Sequence, residues 1–366
     1  MEMSSLLIKN DMWSVMIKQL DIKNFRNHSK YQINFDKNIT YIVGENGTGK
    51  TSILESIYFA ATTKSHRTSN EKEMIKINQF FSVIKLKTKH NEYHLILSEK
   101  GKRVSINQIE KKRLSDYIGQ LNVVMFSPED ANLIKGSPGV RRQFLDLEIS
   151  QIDFNYLKLL TQYKKILKQR NALLKQIKIN DDYTFLNILG EQLFEVGEKI
   201  MDIRKKFIEE LNEEFKKAYR LFSNHQAEIK YLPNIEKDKY LLHFKQKQKV
   251  DIYQQTTSVG IHKDDFIINF NQEKAFNFAS QGQQRLIVIS LKLALLKLIK
   301  RKTKKEVILL LDDVLSELDE TIQKKLLEEL PDDEQIIISS AVNINESKNI
   351  QIIRLSKGDD IDVKGI

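Results

Sequence analysis

The stretch Gly44-Glu45-Asn46-Gly47-Thr48-Gly49-Lys50-Thr51 fits the pattern G-x-x-x-x-G-K-[ST] at every position. Before it runs Asn38-Ile39-Thr40-Tyr41-Ile42-Val43, short, apolar and β-branched; after it, Ser52 to Ala60 carries apolar residues at helical spacing. Strand, glycine loop and helix in this order predict a phosphate cradle. The glycines let the backbone wrap closely round phosphate oxygens, while loop N–H groups and the positive helix N-terminus point at the anion. Lys50 reaches the β- and γ-phosphates of a nucleotide, in a binding and a catalytic role, and the Thr51 hydroxyl holds Mg²⁺. The predicted nucleotide-binding loop is the whole of Gly44 to Ser52.

Length and composition bound the remainder. A chain of 366 residues exceeds the size at which one hydrophobic core keeps growing, so a main domain with an appended lobe is expected. The absence of cysteine excludes disulfides, thiol nucleophiles and Cys-based zinc or iron–sulfur sites, and suits a reducing cytosol. The one H-x-x-x-H pair, His90 and His94, spans a turn and a strand, where that spacing holds the rings apart. No apolar run approaches the roughly 18 residues of a membrane span, and the first residues do not read as a signal peptide. The expectation is a soluble cytoplasmic protein with no membrane partner. A formal charge of +10 fits a polyanionic partner, although lysine and isoleucine are abundant along the whole chain and genome composition would produce the same excess.

Four segments follow from the patterning. Residues 1–15 lack periodicity; they read as a disordered extension or as the result of a start codon placed upstream of Met16. Residues 16–142 begin with alternating Ile17, Leu20, Ile22 and Phe25, then Tyr31, Ile33 and Phe35, and continue after the loop with strands at Phe81–Thr88, Glu92–Leu97 and Arg103–Asn107. Short strands so closely spaced make an antiparallel subsheet. Residues 143–230 turn helical: Tyr156, Leu159, Leu160, Tyr163, Ile166 and Leu167 recur at three and four residues, as do Leu193, Val196, Ile200, Ile203, Phe207 and Leu211. This inserted lobe reads equally as a packing layer or as an interaction arm. Residues 231–366 return to the nucleotide domain.

In that last segment, Ser280-Gln281-Gly282-Gln283-Gln284-Arg285 opens an apolar helix at Leu286–Ile299, with a basic loop expected at Lys300–Lys305. Ser280 and Gly282 make a second anion-binding helix end, with Ser280 placed as N-cap. The run Val307-Ile308-Leu309-Leu310-Leu311-Asp312-Asp313 predicts a fully buried strand whose acids emerge where a parallel sheet presents its ligands. A carboxylate buried there needs a cation, and Mg²⁺ beside Thr51 supplies one. Asp312 is therefore the expected metal ligand, and Asp313 the expected catalytic, water-positioning base.

A serine-glycine turn shortly before an acid, with most of the chain between them and the phosphate loop, is the order of ATP-binding-cassette enzymes; Ser316-Glu317-Leu318-Asp319 resembles their D-loop. More specifically, the chain resembles the RecF family of SMC-related ATPases. The match covers most of the chain from Met16. It includes Leu20-x-Ile22-x-Asn24-Phe25-Arg26-Asn27, Lys64-Ser65-His66-Arg67-Thr68, Phe126-Ser127-Pro128-Glu129-Asp130, Lys135-Gly136-Ser137-Pro138-Gly139-Val140-Arg141-Arg142-Gln143-Phe144-Leu145-Asp146 and Gly260-x-His262-x-Asp264-Asp265.

The resemblance implies an α/β ATPase head of the ABC/SMC type, with an antiparallel subsheet and the inserted helical lobe. It implies ATP and Mg²⁺ as cofactors, with Arg26, Asn27, Ser280, Gly282 and Gln283 as further nucleotide contacts. The expected partners are a second copy joined by ATP, DNA that is duplex, gapped or single-stranded, the RecR and RecO proteins, and indirectly RecA. The basic residues singled out for DNA phosphates are Lys100, Lys102, Arg103, Lys111, Lys112, Arg113, Arg141 and Arg142. Three positions depart from the family or cassette pattern: Ile261 replaces a proline, Ala341-Val342 stands where transporters place a switch histidine, and Asp313 is shorter than the usual glutamate. The last two suggest slow hydrolysis. A transporter ATP-binding subunit and a structural SMC-like chromosome protein are the alternative readings.

Overall fold

The structure, a computed structural model, describes residues 16–356 apart from 69, 179–180, 316–317, 332 and 342–348. The amino-terminal extension, the core of the D-loop at Ser316-Glu317 and Val342 therefore lie outside the described residues. Contacts divide the chain into two compact units, Met1–Asp130 with Leu295–Ile366, and Ala131–Ala294.

The first unit opens with a hairpin of β1 (Ile17–Phe25) and β2 (His28–Asn34), then β3 (Ile39–Gly44) and α1 (Lys50–Thr62). Next come β4 (Phe81–Thr88), β5 (Glu92–Ser98), β6 (Gly101–Ile106), β7 (Ile109–Glu110) and β8 (Asn122–Phe126). The six-stranded sheet β2-β1-β4-β5-β6-β7 is antiparallel throughout, as the short spacings predict. Its strands bury alternate residues, Leu20 and Ile22 on β1 and Ile84 and Leu86 on β4 among them, because successive side chains face opposite ways.

The second unit holds α2 (Asn132–Lys135), α3 (Pro138–Ile152), α4 (Phe154–Leu174), α5 (Thr184–Phe222), β9 (Ala227–Leu232), α6 (Tyr240–Gln254), β10 (Asp265–Phe270), β11 (Glu273–Lys274) and α7 (Ala275–Phe278). α8 (Gln281–Thr303) carries the chain back to the first unit, which ends with β12 (Val307–Asp312), α9 (Glu320–Glu329), β13 (Ile336–Ser340) and β14 (Ile350–Leu355). The second sheet of the first unit, β14-β3-β13-β12-β8, is wholly parallel. β12 is buried at every position, as a strand covered on both faces must be. α1 packs on both sheets of this unit, touching β8, β12 and β13 as well as β1 and β4. That explains a helix with no polar face: almost every residue of it is buried.

Three boundaries differ from those read in the sequence. The limits at 142/143 and 230/231 fall inside the second unit, because the β9-β10-β11 sheet packs on α3 and α5 of the lobe. α8 runs on through Lys300, Arg301 and Lys302, where a basic loop was expected. Lysine and arginine are good helix formers, and cations favour the negative C-terminal end of a helix.

The interior of the second unit is electrostatic as well as apolar. Arg204 on α5 is buried and donates from Nη1 to Asp264 (2.9 Å) and the Ile261 carbonyl (2.7 Å), from Nη2 to Asp146 (2.8 Å) and from Nε to the Tyr156 hydroxyl (3.0 Å). Tyr231 donates to the same Asp264 carboxylate. Burial alone would raise the Asp146 pKa, yet Arg204 and Lys164 hold it below the usual carboxylate value. Nearby, Arg170 pairs with buried Asp251 at 2.8 Å, and Arg141 forks onto Asp265 at 2.7 and 2.8 Å. The family motifs around Asp146, His262 and Asp264 thus supply the core of this unit. Arg204→Met should lower the urea midpoint by a loss of about 3–5 kcal/mol, because buried Asp264 would lose its counter-charge and Asp146 would keep only Lys164. Circular dichroism measures it, and an unchanged midpoint would refute the role.

Candidate nucleotide-binding site

The phosphate loop begins at Gly44, the last residue of β3, and ends in α1, as its sequence requires. Gly47 and Gly49 adopt left-handed backbone, with φ of 85° and 98°. At Gly49 the constraint is double, since a Cβ there would lie 2.4 Å from Nε2 of His28. Thr48 closes the loop by donating its hydroxyl to the Glu45 carbonyl at 2.9 Å. Nζ of Lys50 donates to the carbonyls of Gly44 (2.6 Å) and Glu45 (2.9 Å), which holds the ammonium at the loop. Burial pulls its pKa below the usual lysine value, against the opposing fields of Asp313 and Asp312.

Asp312 ends β12 and Asp313 follows it, and β12 is separated from β3 by β13 alone. The Thr51 hydroxyl donates to Oδ1 of Asp312 at 3.0 Å, and the Ser339 hydroxyl on β13 donates to the same oxygen at 2.7 Å. The oxygen of Ser339 also accepts the Asp313 backbone N–H at 2.9 Å, where the chain leaves the sheet with a left-handed φ of 51°. Aspartate tolerates that conformation better than most residues. Burial raises the Asp312 pKa, with Glu129 adding to the effect and Ser339, Thr51 and Arg67 opposing it. A carboxylate disfavoured in its charged form, touching a threonine hydroxyl beside a phosphate cradle, is a fitting pair of ligands for Mg²⁺. This ion takes one or two carboxylates and completes its shell with phosphates and water. Among the described residues there is no cluster of three or more His, Asp or Glu that could hold a metal ion.

The other sequence-predicted residues divide. Asn27 joins the loop: its Oδ1 accepts from the Ser52 hydroxyl at 3.2 Å, and its amide lies beside Gly49. Arg26 is turned onto the protein, with Nε and Nη2 forking onto Glu55 at 2.8 and 2.7 Å and Nη1 donating to the Glu73 carbonyl. Glu55, wholly buried on α1, also accepts from Ser65 at 2.5 Å. Burial would raise its pKa, but Arg26 and Ser65 bring it below the usual value.

Ser280, Gly282 and Gln283 belong to the second unit. The Gln283 N–H donates to Oγ of Ser280 (3.3 Å) while the Ser280 N–H donates to Oε1 of Gln283 (2.8 Å), a reciprocal capping box at the start of α8. A Cβ on Gly282 would meet nothing within 4 Å, so that backbone is open to approach. Of the basic residues singled out for DNA, Lys102 is committed to the Thr63 carbonyl and Glu71, Arg141 to Asp265, and Arg142 donates to the Asp264 carbonyl.

Ser339 escaped the sequence reading. Its signal was a hydroxyl ending the buried run Ile336-Ile337-Ile338, the place where parallel strands present polar groups.

The family model for the RecF/RecN/SMC N-terminal domain matches residues 16–360. The DNA replication and repair protein RecF of Acholeplasma laidlawii is 52% identical over 349 residues, covering 95% of this chain and 100% of that protein. The chain belongs to the RecF family. RecF of Bacillus thuringiensis (strain Al Hakam) is 43% identical over 331 residues, 86% of this chain and 88% of its own. A solved RecF with ATP, the recombination mediator of the RecFOR pathway, superposes with a TM-score of 0.86 at 30% identity, covering 95% of this chain and 98% of that one. A solved Smc head bound to a ScpA winged-helix domain, 16% identical with a TM-score of 0.52 over 94% of this chain and 95% of its own, shares the fold alone. Mixed antiparallel and parallel sheets in a RecF-type ATPase head agree with the fold class read from sequence.

Asp312→Asn retains an acceptor for both hydroxyls and removes the buried charge. It should raise the melting temperature without nucleotide, yet weaken Mg²⁺-dependent ATP binding by roughly tenfold or more. Calorimetric titration and thermal melts read the two effects, and unchanged Mg²⁺ dependence would remove Asp312 from the site.

Proposed function

We propose that this chain is an ATP-dependent DNA-binding protein of replication-fork and gap repair, acting as a slow ATPase switch. The observation that carries the reading is the contact of Thr51 with Asp312, which places the phosphate loop and the acid of β12 at one point. Lys50 would bind the β- and γ-phosphates, with the loop N–H groups supplying the remaining donors. Mg²⁺ would be held by the Thr51 hydroxyl and Asp312, and would supply charge neutralisation between the phosphates. Asp313 orients the attacking water, its backbone fixed by Ser339. Being one methylene shorter than glutamate, it reaches less far, which supports slow turnover.

Ser280, Gly282 and Gln283 engage the γ-phosphate bound by a second copy, so ATP closes a homodimer. The capping box supports this by holding the open Gly282 backbone at the helix end. The dimer binds DNA through its phosphates with little sequence preference, and it assists RecA loading together with RecO and RecR. Family membership supports these partners. No helix among the described residues is long and apolar enough to cross a membrane.

Ser280→Asp separates capping from phosphate sensing, since aspartate caps helices as well as serine does. The variant should keep its thermal stability and its ATP affinity but remain monomeric with ATP, because a carboxylate would face the γ-phosphate. Asp313→Asn should accumulate as the ATP-bound dimer. Light scattering of both decides it: normal dimerisation of Ser280→Asp would reduce the turn to a helix cap.

A further inference from the structure

Where α5 ends and β9 begins, the second unit forms a groove of about 740 Å³. The hairpin between β10 and β11 turns at Asn271 and Gln272, both left-handed, with φ of 48° and 72°. Asn271 ties this turn to the opposite wall: its Oδ1 accepts the Gln226 N–H at 3.0 Å, and its amide donates to Nδ1 of His225 at 3.2 Å. Nε2 of His225 is thereby left to carry the proton, so the imidazole presents a donor, and its ring packs on Phe270.

The lining is cationic. Lys216, Arg220 and Lys230 face a single lining carboxylate, Glu228. Lys230 approaches it at 2.6 Å and Lys216 at 3.7 Å, while Arg220 has no acidic partner among the described residues. Burial would raise the Glu228 pKa, but Lys230 foremost holds it below the usual value, so its charge persists. Two positive charges remain uncompensated in a solvent-open groove. No aliphatic side chain larger than alanine lines it. An acidic amphipathic helix would need an apolar stripe, and the Tyr219 ring with the Ala227 methyl does not make one. A phosphodiester backbone needs no such stripe; it takes cations, amides and ring donors along a cationic trough.

We propose that this groove is a contact site for the DNA backbone, engaging about two phosphates through Lys216, Arg220 and Lys230, with His225, Asn269 and Gln272 as neutral donors. The proposal rests on the DNA-binding reading above and assigns it a surface on the second unit.

The test is fluorescence anisotropy of a labelled gapped duplex with the full chain and ATP, over a series of salt concentrations. Lys216→Glu/Arg220→Glu should weaken binding by roughly tenfold or more and reduce the slope of log K against log salt by about 1.8, the value for two phosphates. ATP affinity should be unchanged. Lys217→Glu alters a charge outside the lining and should have a much smaller effect. Lys216→Gln/Arg220→Gln should act in the same direction as the glutamate pair, and its thermal melt checks that the unit still folds. Wild-type affinity and slope in the double variants, or an equal loss from Lys217→Glu, would overturn the groove while leaving DNA binding intact. A wild-type chain that binds no DNA at all would instead overturn the reading on which the groove rests.

Discussion

One carboxylate oxygen, Oδ1 of Asp312, accepts hydroxyl hydrogens from Thr51 and Ser339, and the architecture of the first unit follows from making that possible. The three residues come from the start of α1, the end of β12 and the end of β13. They meet only because β3, β13 and β12 are adjacent and parallel, so that all three carboxyl ends emerge on one edge. Parallel strands must be covered on both faces, which accounts for the unbroken apolar runs of β12 and β13. The cost is a buried acid with a raised pKa, a local destabilisation that a bound cation would relieve.

The second unit uses charge differently. Arg204 and Arg170 are fully buried and held by carboxylates and hydroxyls elsewhere in the unit, although Nε of Arg170 has no partner among the described residues. Such pairs add little net stability over an apolar core, but they tolerate few alternative packings. α5 is thereby fixed against α3, α4 and the segment from Gly260 to Asp264, so the surfaces at its two ends have defined geometry.

The legible parts of the sequence were those whose chemistry is local. The phosphate loop, the buried β12 run and the antiparallel hairpins need only neighbours along the chain, and all were read with their boundaries nearly right. Residues whose partners are distant were harder. Arg26 was read as a nucleotide contact, while its guanidinium forks onto Glu55, 29 positions away. Nothing in Ile338-Ser339-Ser340 specifies that one hydroxyl bridges two acids' positions on a neighbouring strand. The serine-glycine turn was read as an N-cap, but the reciprocal bond from Gln283 was present in the spacing Ser280-x-x-Gln283 and went unused. The extent of the lobe was less legible, because a helical pattern cannot reveal that a small sheet packs on it.

The central claim is that Lys50 and Asp312 serve one nucleotide, and calorimetric titration of ATP into Lys50→Met tests it most directly. Methionine preserves the length and packing of the stem and removes the charge that meets the β- and γ-phosphates. The wild-type chain should bind ATP with strong Mg²⁺ dependence, and Lys50→Met should show no measurable binding under the same conditions while melting at a similar temperature. Unchanged affinity in a folded Lys50→Met protein would contradict the account.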